Sequence, residues 1–165
     1  MRELVEKLSQ YAAYHRDRRN ILTHFIGIPL IVLAVSILLS RPAFVVAGVT
    51  LSPALLLAAW VSLYYLRLDT RYGLVMTALL ALCVTLAAVI ATWTTMAWSA
   101  IGLGLFVVGW VFQFVGHYYE GRKPAFVDDL VGLIIGPLFV VAEAGFLLGL
   151  RKDVQARIEQ RLQPE

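Results

Sequence analysis

From Tyr72 to Tyr119 the chain carries no Asp, Glu, Lys or Arg. A soluble helical domain must turn a polar face to water every few residues, so a charge-free stretch this long belongs in a bilayer. It has room for two helical spans of roughly 20 residues each. Further apolar segments run over 21–40, 43–66 and 130–150, and the 165 residues are 60% hydrophobic, 15% charged and +0.78 in mean hydropathy. The expected fold class is therefore an all-α integral membrane protein, a single membrane-embedded domain over 1–165. Spans are expected at 21–40, 43–66, 72–92 and 97–118, with Pro29 and Pro53 inside the first two, each removing a backbone donor and kinking its helix. Polar-rich residues precede the first apolar run and no small-x-small site closes it, so a cleavable signal peptide is not expected. The lone Cys83 excludes an internal disulfide framework.

Charge sets the orientation. With the N-terminus cytoplasmic and four crossings, every basic residue except Arg41 falls on the inner side, thirteen of the fourteen. A fifth crossing at 130–150 would move Arg151, Lys152, Arg157 and Arg161 outward. The segment 130–150 therefore reads as a re-entrant or interfacial helical hairpin turning near Gly136-Pro137, with Glu143 as the one acid deep in an apolar segment. At the ends, Leu4, Leu8, Tyr11, Ala12 and His15, and then Val154, Ile158 and Leu162, recur at helical spacing and predict amphipathic helices lying in the interface. The basic residues cluster beside apolar segments, so the net charge of +3 is no nucleic-acid signature.

This topology collects the polar chemistry on one face. His15 and His24 precede or open the first span and His117 closes the fourth, so all three histidines lie at the cytoplasmic end. Asn20 and His24 are four apart, as are Gln113 and His117, while Glu120 follows His117 by three, so each set lines one stripe of a helix. His15 and His24, nine apart, can face one centre only if the chain bends between Arg16 and Asn20. Three neutral imidazoles with a carboxylate or water suit Fe(II), Zn or Mn, and open positions on such a shell suit oxygen activation. Glu120 is the expected fourth ligand, and Tyr11, Tyr14, Asn20 and Gln113 are expected to orient the rings. Glu143 is a further partner for a ring N–H or a basic side chain. The plainer alternative is that interfacial histidines snorkel or cap helices.

The motifs that carry these residues, Tyr11-x-x-Tyr14-His15 with Asn20, His24, Ile26, Gly27, Pro29 and Leu30, and then QFVGHYYEGRKPA over 113–125, resemble those of the Mpo1-like family, as does GPLFVVAE at 136–143. The resemblance covers nearly the whole chain. It implies an Fe(II)-dependent dioxygenase of fatty-acid α-oxidation, converting a long-chain 2-hydroxy fatty acid and O2 to the acid one carbon shorter with release of CO2. It implies a multi-pass protein of the bacterial inner membrane or, as in yeast, of the endoplasmic reticulum. The family's histidines are thought to hold the iron, which carries over to His15, His24 and His117 as catalytic metal ligands. Arg19, Arg122 and Lys123 are then placed to meet the substrate carboxylate, while membrane lipid takes the tail.

Two other classes stand beside this reading. A small transporter or lipid-binding protein would use the histidines as proton relays or caps, but the apolar segments offer little of the charged midplane site a transporter needs. A zinc hydrolase would share the ligands and differ in the metal. A desaturase-like di-iron site needs more histidines than three.

Overall fold

The computed structural model describes residues 1–122 and 131–163. In chain order the elements are α1 (Arg2–Ala12), α2 (Arg18–Leu38), β1 (Phe44–Val46), β2 (Val49–Leu51), α3 (Pro53–Leu68), α4 (Thr70–Ala91), α5 (Thr95–Glu120), α6 (Gly132–Leu147) and α7 (Lys152–Leu162). The chain divides into two compact units, Met1–Ile28 with Phe112–Glu165, and Pro29–Val111. The boundaries fall inside α2 and α5.

Among the described residues three helices, α2, α4 and α5, are long and apolar enough to cross a membrane, and α6 with α7 makes a fourth if that bent pair counts as one broken span. The chain is a helical membrane protein. The expected second span is shortened. Residues 43–51 form a β-hairpin rather than helix, because the run Phe44, Val45, Val46 meets Ala47 and Gly48 with φ of 50° and 79°. Two successive positive φ angles form the tight turn whose twist suits antiparallel strands. Pro53 does not kink a helix: it begins α3, where its missing N–H costs nothing, behind an N-cap Ser52 that accepts from Leu55 N. The remaining 16 residues of α3 reach about 24 Å, short of the roughly 30 Å hydrocarbon core. Pro29 lies within α2, which continues to Leu38.

In the Pro29–Val111 unit, α3 and α4 form an antiparallel pair joined at Asp69, which ends one helix and caps the next by accepting from Arg71 N and Tyr72 N. Arg41, the basic residue left outside by the charge rule, donates to Ala91 O and Trp93 O and lies over the Trp98 ring, covering the exposed carbonyls at the end of α4.

In the other unit, α1 packs on α6 and α7. Leu4, Val5, Leu8, Tyr11 and Ala12 are buried, as are Val154 and Ile158 of α7. The amphipathic periodicity of both terminal helices is real, but their apolar stripes are covered by protein rather than lipid. The hairpin turn expected at Gly136-Pro137 lies elsewhere: α6 runs through both residues, and the chain bends by 112° between α6 and α7. Gly149, at φ 73°, ends α6 while Gly149 N donates to Phe146 O and Leu150 N to Gly145 O, the paired bonds of a glycine-terminated helix. Gly136 serves packing instead, since a Cβ there would come within 2.9 Å of the Tyr11 hydroxyl and 3.1 Å of Ile28 Cδ1.

Candidate metal centre

The bend required between Arg16 and Asn20 is present. α1 stops at Ala12, α2 starts at Arg18, and the connection returns His15 toward His24. Glu120, at the end of α5, holds this connection. Its carboxylate accepts from Arg16 N at 2.9 and 3.0 Å, from Asp17 N at 2.8 Å and from Asn20 Nδ2 at 3.0 Å. These amides stand at the start of α2, where backbone donors lack helical acceptors and favour an anion.

His15, His24 and His117 are buried, and each offers a ring nitrogen within 4.8 Å of the others. His15 Nδ1–H donates to Tyr11 O at 2.7 Å and His24 Nδ1–H to Asn20 O at 2.9 Å. Each bond joins a histidine to the carbonyl four residues earlier. A carbonyl can only accept, so both Nδ1 atoms carry the proton and both neutral rings turn a lone pair inward at Nε2. Those two Nε2 atoms are 3.0 Å apart. Burial pushes the His15 imidazole down to about 4, with the carbonyl of Tyr11 and Glu120 opposing that shift and His117 adding to it. With both Nδ1–H groups turned to carbonyls, the two facing Nε2 lone pairs suit a bound cation. The separation suits one: two nitrogens about 2.1 Å from a common ion, roughly at right angles, lie about 3.0 Å apart. His117 adds a buried Nδ1 with no hydrogen-bond partner among the described residues. The donor set fits a borderline metal that accepts imidazole.

Aromatic rings close one side. Tyr11 stacks on His15 at 4.2 Å and 6°, and Phe139 of α6 lies 5.6 Å from His15 and 5.0 Å from Tyr11. Phe139 carries no signal in the sequence, being one apolar residue in an apolar helix. α5 approaches α2 closely because residue 116 is glycine: a Cβ there would overlap Thr23 Oγ1 and Asn20 Oδ1 and lie 3.3 Å from Asn20 Cα.

The other expected residues are placed as follows. Glu120 does not join the three imidazoles, because its carboxylate is spent on the α2 amides and Asn20. Tyr11 and Asn20 do orient the rings, through their backbone carbonyls rather than their side chains. Tyr14 lies in the α1–α2 connection, its N–H donating to Tyr11 O. Gln113 is buried one turn before His117 and its Nε2 has no partner among the described residues. Glu143 is half-buried in α6 and makes no hydrogen bond or ion pair with a histidine or basic side chain among the described residues. Arg19 pairs with Asp17 at 3.1 Å and lies over the Tyr119 ring, and Arg122 donates to Ala13 O. Lys123 lies outside the described residues.

Comparison with known proteins shows which family the chain belongs to. The family described as 2-hydroxy-palmitic acid dioxygenase Mpo1-like matches residues 1–147. The 2-hydroxy-palmitic acid dioxygenase MPO1 of Saccharomyces cerevisiae is 34% identical over 163 residues, 98% of this chain and 90% of the yeast protein. No solved structure matches. A motif-bearing match of this extent makes the chain a member of the Mpo1-like family.

Proposed function

We propose that this protein is an Fe(II)-dependent dioxygenase that shortens long-chain 2-hydroxy fatty acids by one carbon, with 2-hydroxypalmitic acid a substrate of the right class. The observation that carries the reading is the pair of inward Nε2 atoms 3.0 Å apart, each fixed by a carbonyl behind it, with His117 beside them. Iron held by His15, His24 and His117 would supply open positions and redox chemistry for O2. The overall change balances without a reducing cosubstrate, since a 2-hydroxy acid and O2 give the shortened acid, CO2 and water.

The chain's own residues prepare that chemistry. Tyr11 O and Asn20 O fix the tautomers of His15 and His24, keeping both Nε2 atoms as donors to a metal. Glu120 fixes the connection from which His15 projects. Tyr11 and Phe139 exclude water from one side of the His15 ring. The site lies on the cytoplasmic side of the membrane, a placement supported by the basic residues Arg16, Arg18, Arg19 and Arg122 around it.

The test is anaerobic purification of the full chain in detergent, loading with Fe(II), and addition of O2 with 2-hydroxypalmitic acid. Release of CO2 and the acid one carbon shorter is expected, with neither formed from palmitic acid. Replacing His15, His24 or His117 by Ala should abolish iron retention. Iron-loaded protein that binds the 2-hydroxy acid and never shortens it would make a lipid-binding role the better account.

A further inference from the structure

Gln113 has no role in the metal centre as described. It stands in α5 one turn before His117, on the same stripe of the helix and about 6 Å further into the apolar run. It is only 6% exposed, and its amide nitrogen is buried without an acceptor among the described residues. His15 and His24 do not call on it, because they give their Nδ1–H to backbone carbonyls, and its amide nitrogen makes no hydrogen bond to His117. A buried donor without a partner is costly to keep, and an amide kept that way beside a ligand site is explained by an acceptor that arrives with the ligand.

We propose that Gln113 reads the head group of the substrate: Nε2–H donates to a carboxylate oxygen and Oε1 accepts the hydrogen of the 2-hydroxyl. This rests on the dioxygenase reading above. A primary amide offers a donor and an acceptor side by side. An ionised 2-hydroxy acid offers the complement, a carboxylate oxygen beside a hydroxyl. An arginine could engage the carboxylate but has no acceptor for the hydroxyl, and a neutral amide avoids burying a charge in an apolar helix. Of the basic residues expected to meet the carboxylate, the two described are engaged elsewhere, Arg19 with Asp17 and Arg122 with Ala13 O. Gln113 is thereby a specificity residue, favouring the 2-hydroxy acid over the unsubstituted acid that shares its tail and carboxylate.

The experiment loads the full chain with Zn(II), which holds the site without turnover, and measures equilibrium binding of 2-hydroxypalmitate and palmitate. Wild-type protein should prefer the 2-hydroxy acid. Gln113→Leu should bind it roughly tenfold to a hundredfold more weakly and lose most of the preference. It should keep its zinc and, without ligand, unfold at the wild-type temperature or above, because an unpartnered donor is replaced by an apolar side chain of similar length. Gln113→Glu, which keeps an acceptor and loses the donor, should bind both acids weakly. Wild-type preference retained in Gln113→Leu overturns the proposal, and so does loss of zinc or a lower unfolding temperature, which would make Gln113 structural. Metal-loaded wild type that shows no preference overturns this inference alone; if wild-type protein takes up no metal, the dioxygenase reading itself fails and this inference falls with it.

Discussion

Replacing Gly116 by Ala tests how the centre is assembled, and Gly104 in the same helix supplies the control. A methyl group at 104 meets nothing within 4 Å, so the change there brings only the greater helix propensity of alanine, up to about 1 kcal/mol. At 116 the methyl would overlap Thr23 Oγ1 and Asn20 Oδ1 and press on Asn20 Cα, which is backbone and cannot rotate aside. Overpacking of this kind costs about 1–3 kcal/mol. Relief by rotating side chains would break the Thr23 bond to Asn20 O at 2.7 Å and the Asn20 bond to Glu120 at 3.0 Å, about 1 kcal/mol each. Set against the same propensity gain, Gly116→Ala should destabilise by roughly 2–4 kcal/mol. It should also move His117 away from His24, so metal content should fall. Thermal unfolding in detergent and metal analysis of the two variants side by side check this. A Gly116→Ala protein with wild-type stability and full metal content would refute the close α2–α5 approach as the basis of the site.

Glu120→Gln should leave three imidazoles in place yet weaken metal retention by roughly tenfold to a hundredfold, as losses behind metal ligands do, because an amide NH2 would face backbone N–H groups of Arg16 and Asp17; chelator competition measures it. Unchanged retention would remove Glu120 from the support of the centre. Arg41→Ala should lower thermal stability by about 1–3 kcal/mol through the released Ala91 and Trp93 carbonyls, while metal content stays at the wild-type level. Gly149→Ala places a side chain at φ 73° and should cost about 1–2 kcal/mol in the unfolding transition, whereas Gly145→Ala, with only a 4.0 Å neighbour, should not.

What could be read from the sequence was whatever followed from periodicity and charge. His15 and His24, nine apart, cannot face one centre on a continuous helix, so the bend at 16–20 followed from helical geometry alone. The stripe Gln113, His117, Glu120 was legible for the same reason. Reach was not. Three residues beyond His117, Glu120 shares its stripe but lies nearer the helix end, and its carboxylate meets the α2 amides before it meets the imidazoles. The amphipathic pattern of α1 and α7 says that one face is covered without saying by what, and here the cover is α6 and each other. The β-hairpin was hidden because an apolar run of Phe, Val and Leu satisfies a span and a strand equally. Its turn, Ala47-Gly48, lacks the usual Asn-Gly or Asp-Gly signature.

The position of the imidazoles along their helices bears on why a lipid acid would come to this centre. His24 lies six residues into α2, about 9 Å from its polar start, and His117 lies three residues, about 5 Å, before the charged end of α5. Both are just inside the point where the apolar run begins. On the proposed function, an acyl tail extending from that level would run alongside apolar helix faces with no charged side chain to avoid, since α5 has none between Thr95 and Tyr119. Burial also favours the neutral form of His15, pushed down to about 4, which would leave its lone pair free for a metal near neutral pH, whereas an exposed imidazole would compete with protons. A soluble enzyme for the same acid would have to build an apolar tunnel for the tail. On the proposed function the bilayer would supply that environment, and the bend at Arg16–Asn20 brings the three rings together beside the apolar runs of α2 and α5.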